Sequence, residues 1–214
     1  MEINGISRPK EINPDISSDV LEAFDCEVPV LNEWFCSCAF QNDKNSDSRT
    51  YVALTPESHI AGYFSLSNTV LSHDQLSAVG RRKKTDPIPC CQLAQLAVNR
   101  NFRGKGLCEA LLIEALKITK QISKISSWIA LIVIPKSDSE SSFYEHFGFR
   151  KCKSGDTPLL FFEIENFELP DDEDKAKRMT SNGRKELNSM LAKITPENLH
   201  GRVDFGTPIG NELL

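Results

Sequence analysis

The chain has 214 residues, of which 40% are hydrophobic and 26% charged, and its formal net charge is −5. A chain of that size and balance holds one globular domain of roughly 100–200 residues plus an appendage, and it is not disordered throughout. Its negative charge offers no global attraction to nucleic acid, so such a contact would need a local patch.

No apolar run approaches the ~20 residues of a membrane span, and Met1–Lys10 lack the order of a signal peptide. A cytoplasmic protein without a membrane partner is therefore expected. Apolar residues Leu31, Trp34, Phe35 and Cys38 recur at helical spacing, which predicts one amphipathic helix over Asp25–Asn42. Thr50–Leu54 and Ile60–Leu66 read as a β-hairpin about the turn Thr55–His59. A basic, proline-containing loop follows over Val79–Pro89, and Cys90–Val98 has the apolar run of a central strand.

Asn99–Gly106 is a polar glycine turn, after which Leu107, Leu111, Leu112, Ala115, Leu116 and Ile122 mark one helical face. A second buried strand is predicted over Trp128–Ile134. Apolar strand, helix and apolar strand in that order imply a parallel pair joined by a right-handed crossover. Asp138–Phe147 reads as a short helix and Pro158–Ile164 as a closing strand, so the fold class is α/β on a mixed, twisted sheet with helices on both faces. After Ile164 the composition changes. Residues 165–186 read as a charged linker, and Leu187, Met190, Leu191 and Ile194 permit a short amphipathic helix within a tail, residues 187–214.

The seven cysteines, Cys26, Cys36, Cys38, Cys90, Cys91, Cys108 and Cys152, are odd in number, and several lie in apolar runs, so reduced thiols are expected. Their spacing does not have the paired form of a zinc site, and no metal is expected.

Chemistry concentrates at Arg103-Gly104-Lys105-Gly106-Leu107-Cys108. Glycines let backbone N–H groups approach an anion, and the following helix points its positive end there. The dinucleotide fingerprint fails, because Glu109 takes the third glycine's place, and so does the P-loop, because no Gly-Lys-Ser/Thr follows. Taken alone, a GxG turn of this kind is also an ordinary tight turn.

Arg103, Gly106 and Cys108 match the Q/R-x-x-G-x-G/A motif, with a small Cys at the last position, and Phe143-Tyr144-Glu145-His146-Phe147-Gly148-Phe149 matches an FYxxxGF helix end. Two such elements flanking a strand resemble the GNAT superfamily of N-acetyltransferases. The resemblance implies an acetyl-CoA-dependent acyltransferase in which amides of Arg103–Cys108 bind the pyrophosphate and the edge of Leu96, Ala97 and Val98 pairs with pantetheine. It also implies that Tyr144 gives a proton to the departing thiolate. His146, two residues on, would face away from Tyr144 on a helix.

Phe24-Asp25-Cys26, Leu31-Asn32-Glu33-Trp34, Ser48–Val52, Asp86–Pro89 and Leu93–Val98 are similar to segments of the TacT-type toxins of toxin–antitoxin systems. That resemblance spans residues 20–164 and implies acetylation of the α-amine of aminoacyl-tRNA, blocking translation. Two departures bear on the substrate. Phe35–Gln41 and Gln95 stand where such toxins often carry cations, and Arg81–Lys84 offers other cations for phosphate contact. Ile194–His200 and Val203–Glu212 resemble the toxin-wrapping tail of MazE-family antitoxins, which implies a MazF-type ribonuclease as partner of residues 187–214. Partners on this reading are aminoacyl-tRNA, a cognate antitoxin, that ribonuclease and, for a homodimer, a second copy of the chain. A housekeeping N-acetyltransferase acting on a small amine or a protein, and an interaction protein built around the tail, are the alternatives.

Overall fold

The computed structural model describes residues 5–75, 86–153 and 158–168. The basic run Arg81–Lys84, nearly all of the predicted linker and the whole tail 187–214 lie outside the described residues.

Seven strands form one sheet: β1 (Lys10–Glu11), β2 (Ser48–Leu54), β3 (Ile60–Leu71), β4 (Ile88–Val98), β5 (Ala130–Val133), β6 (Arg150–Lys151) and β7 (Leu160–Glu163), in the order β1-β2-β3-β4-β5-β7-β6. Every neighbouring pair is antiparallel except β4 and β5, which run parallel. The helices are α1 (Ser18–Glu22), α2 (Pro29–Lys44), α3 (Leu107–Ser126) and α4 (Asp138–His146). The α/β class, the hairpin and the parallel β4–α3–β5 crossover agree with the sequence reading.

Several boundaries differ, each for a local reason. The first long helix begins at Pro29 rather than Asp25, because proline suits the first helical turn and Glu27 sits at a φ of 58° that no helix continues. Two short strands and α1 carry too few residues to show a period, and were not predicted. The strand ending at Glu163 inserts between β5 and β6 instead of closing the sheet at its edge. Phe167 is buried at 2% exposure in the main core, so the packed domain runs at least that far.

Side chains alternate across the sheet. Phe64, Leu66, Cys91, Leu93, Leu131 and Val133 pack beneath the predicted face of α3, with Leu111, Leu112, Ala115 and Leu116 almost fully buried. On the opposite face Phe35 and Ala39 of α2 meet Val52, Tyr63 and Ala97. Phe35 stacks on Tyr63 at 4.2 Å, and the Tyr63 hydroxyl donates to the Leu31 carbonyl at 2.9 Å. One buried ion pair also lies on α3, Lys117 to Glu114 at 2.7 Å, with Arg8 joining Glu114 at 2.9 Å. Burial alone would raise the Glu114 carboxyl, but the two cations outweigh it and hold that group below its ordinary range.

Two irregularities open the centre of the sheet. Strands β4 and β5 pair only at Cys91 with Leu131 and Gln92 with Ile132. Just beyond, the β3–β4 register shifts, Ser65 opposing Gln95 and Leu66 opposing Leu93, so Ala94 is an extra residue that bends its strand. Gly62 then lets α3 approach: a Cβ there would lie 2.8 Å from Leu111 Cδ1 and 2.9 Å from the Ala97 carbonyl oxygen. Gly62→Ala should therefore destabilise the fold by ~1–3 kcal/mol, the usual cost of overpacking, read as a lower urea midpoint.

Candidate active site

Asn99 closes β4 and caps a single 3-10 turn over Arg100–Phe102, its side chain accepting from the Asn101 amide at 3.1 Å. Gly104 and Gly106 both have positive φ, +70° and +76°, and Gly106 is the N-cap of α3. A Cβ at either would meet nothing within 4 Å. The glycines are thus demanded by backbone conformation, and the space beside them is open. First-turn amides of a 20-residue helix face that space.

Lys105 and Leu107 of the turn point away from that space. Lys105 Nζ donates to the Asn101 carbonyl at 3.0 Å and lies over the Phe102 ring, and Leu107 is buried in the core. Arg103 pairs with Glu27 at 2.5 Å and also donates to the Cys26 carbonyl.

From the turn a cleft of about 360 Å³ runs into the gap between β4 and β5. Its walls are Leu93–Val98 along β4, Val133 and Ile134 at the end of β5, Ser139, Glu140, Phe143 and Tyr144 of α4, and Cys26, Val28 and Leu31 ahead of and within α2. Arg103, Cys108 and Lys136 complete the lining. Of the sequence-predicted residues, Leu96, Ala97, Val98, Arg103, Cys108 and Tyr144 therefore meet in one cavity, while Gly104, Lys105, Gly106 and Leu107 form the adjoining turn.

Helix α4 aims Tyr144. Ser137 caps it by accepting from the Glu140 amide at 3.2 Å, and Glu140 in turn accepts from the Lys136 amide at 2.8 Å. At its other end Gly148, at a φ of +89°, reverses the chain so that Phe149 packs edge-on against Tyr144. Tyr144 is only 9% exposed. Burial, with Cys108 and Glu140 nearby, pushes its phenol well above the ordinary tyrosine value, so it is a proton donor across the neutral range. Burial likewise pushes the Cys108 thiol up to about 11, which leaves it protonated and a poor nucleophile. His146 is exposed on the far side of α4.

Residues 46–151 match the acetyltransferase (GNAT) domain family. The chain carries a GNAT acetyltransferase domain. A tRNA-acetylating toxin of Mycobacterium tuberculosis (strain ATCC 25618 / H37Rv) is 28% identical over 147 residues, 69% of this chain and 86% of that toxin. Among solved structures, AtaT complexed with acetyl-methionyl-tRNAfMet is similar with a TM-score of 0.69 at 24% identity, over 75% of this chain and 95% of that one. A mutant AtaT toxin bound to the C-terminus of the antitoxin AtaR and acetyl-CoA gives 0.64 at 23% identity, over 76% and 95%. Both structural likenesses concern the fold.

Beside the GNAT cleft lie parts to which the sequence assigns no role. Asp25 accepts from the Glu27 amide at 2.8 Å and from Asn32 Nδ2 at 2.9 Å, and Asn32 Oδ1 accepts from the Cys26 amide and thiol, both at 3.0 Å. The Arg100 amide donates to the Asp25 carbonyl at 2.9 Å and its guanidinium pairs with the Asp25 carboxylate at 3.1 Å. Hydrogen bonds from the Glu27 amide and Asn32, helped by the two arginines, hold the Asp25 carboxyl below its usual range. This strap ties residues 25–32 to the start of the glycine turn. Its signal was present in Phe24-Asp25-Cys26 and Leu31-Asn32, which the family resemblance marked without explaining. Ala94 gave no signal at all, since a bulge depends on the partner strand's register.

Among the described residues, no helix is long and apolar enough to cross a membrane.

Proposed function

We propose that this acetyl-CoA-dependent GNAT domain acetylates the α-amine of aminoacyl-tRNA, so that the amine can no longer accept a peptide and translation stops. Similarity to the tRNA-acetylating toxin over most of both chains carries this reading. The site fits the co-substrate: an open glycine turn suits a pyrophosphate, and the unpaired edge of β4 from Leu93 to Val98 suits the amides of pantetheine.

In this mechanism the amides of Arg103–Cys108 and the positive end of α3 hold the pyrophosphate. Leu96, Ala97 and Val98 hydrogen-bond the pantetheine arm through their backbone. Amides at the Ala94 bulge face the thioester carbonyl and stabilise the negative charge that develops as the neutral amine attacks, in the manner of an oxyanion hole. Tyr144 donates its proton to the sulfur as the C–S bond breaks, and the new amide nitrogen sheds its own proton to solvent.

Two outcomes test the reading. Bulk charged tRNA incubated with labelled acetyl-CoA and then digested should yield labelled N-acetyl-aminoacyl-adenosine; label appearing only on polyamines would favour a housekeeping enzyme. Tyr144→Phe should keep acetyl-CoA binding and lower single-turnover acetylation by ~10²-fold or more. Because the Tyr144 phenol is raised, the wild-type rate should show no loss to tyrosine ionisation until above pH ~10.

Partners on this reading are aminoacyl-tRNA, a cognate antitoxin and, for assembly, a second copy of the chain. With Phe167 in the core the proposed linker shortens to residues 169–186, and residues 187–214 are proposed to engage a MazF-type ribonuclease, on the strength of their resemblance to a MazE tail. Because Phe167 is part of the core, a truncation that tests this should fall after Glu168. It should leave acetyl transfer unchanged and abolish retention of a MazF-type protein; a rise in acetyl transfer would instead mark the tail as an inhibitor.

A further inference from the structure

The large exposed apolar side chains of the described residues are Val28 at 41%, Val30 at 67%, Val70 at 56%, Ile125 at 66% and Ile134 at 46%. Scattered singly they would need no explanation. Two of them are not scattered, because Val28 and Ile134 both line the cleft that contains Tyr144.

The side of the sheet on which they lie follows from the packing. Leu93, Leu131 and Val133 enter the core beneath α3 and α4, whereas Ala97 belongs to the opposite face, where Leu31 of α2 packs. Helix α3 carries the glycine turn, so the co-substrate occupies its face and the end of β4. That leaves the α2 face for the amine. Leu31 of α2, Val28 just ahead of it and Ile134 just after β5 line that cleft together.

Several charges near the cleft have partners, and Lys136 adds a cation to its lining. Asp25 pairs with Arg100, Glu27 with Arg103, and Glu140 accepts from the Lys136 amide. A cationic aminoacyl side chain would face Lys136 and Arg103 in the lining, and a polar one would lose water against valine and isoleucine. The rim is also preformed, because the strap of Asp25 and Asn32 fixes the chain just ahead of Val28, and Pro29 starts α2 immediately after it.

We infer that the aminoacyl side chain seats on Val28, Leu31 and Ile134, so that the preferred acceptors carry apolar side chains of the isoleucine, valine, leucine or methionine kind. This rests on the aminoacyl-tRNA reading of the same cleft and specifies its substrate class. Val28 and Ile134 are specificity residues that touch the substrate, apart from the group transfer itself.

The test uses the full-length protein with tRNA preparations each charged with a single amino acid, and reads kcat/KM for acetyl transfer. Apolar acceptors should exceed glycyl-, aspartyl- and lysyl-tRNA by ~10-fold or more, since even one methylene in an apolar pocket discriminates by about that factor. A Val28→Ala, Ile134→Ala double variant changes only exposed positions, and circular dichroism checks its fold. In it the ratio of isoleucyl- to glycyl-tRNA should fall by about fivefold, mostly through KM. Equal rates for all acceptors would overturn the inference. So would a preference for aspartyl-tRNA, which would point to Lys136 instead, or a double variant that loses rate with its ratio intact. Failure to label any charged tRNA, with another amine labelled, would refute the tRNA reading itself and this inference with it.

Discussion

Past Gln92 and Ile132 the two parallel strands stop sharing hydrogen bonds, and a sheet parted at its centre leaves backbone groups that need partners. A sheet edge in that condition ordinarily invites another strand. Here the gap is walled by α4, α3 and the segment ahead of α2, so only something narrow and rich in amides fits. The rest of the domain serves to keep the gap at a fixed width. The bulge at Ala94 bends β4 away, the bare backbone of Gly62 lets α3 settle where its first turn faces the opening, and the 25–32 strap ties the far wall to that turn. Each element is ordinary alone, and together they stop the strands from zipping shut.

The same gap explains the chemistry available in it. A phenol and a thiol lie close together inside, and burial keeps both protonated. A proton donor is what an acyl transfer from a thioester needs at the leaving sulfur, whereas a competing thiolate would divert the acyl group onto the protein. The arginine of the turn lines the cleft but is paired to Glu27 and the Cys26 carbonyl, so in the proposed mechanism the pyrophosphate falls to oriented amides that cost little reorganisation.

How much of this was legible depends on the range of the interaction. Helix α3, the central strands and the glycine turn were readable because their signals are local: a 3.6-residue period, an apolar run, two glycines that demand positive φ. Tyr144 was readable only through the motif around it, since no spacing rule places a tyrosine opposite a bulge. The strap, by contrast, joins Glu27 to Arg103 across the sequence, and nothing within either segment names the other. Strand β7 was found but misplaced for the same reason, as strand order is set by which edges remain open once α3 has crossed over. The start of α2 was missed by a few residues because apolar spacing carried past Pro29 into a loop that is held by hydrogen bonds rather than by a helix.

The cleft draws its walls from segments near residues 26, 95, 108, 134 and 144, and β5 is held on its outer side by β7, which ends at Glu163. No fragment shorter than residues 26–163 contains all of these walls. Contacts so distant along the chain also make for slow folding, because long loops must close before any of them is rewarded. For an enzyme whose proposed target is the translation machinery, this amounts to a delay built into synthesis: a partly made chain on the ribosome cannot yet assemble the pocket that would act against it.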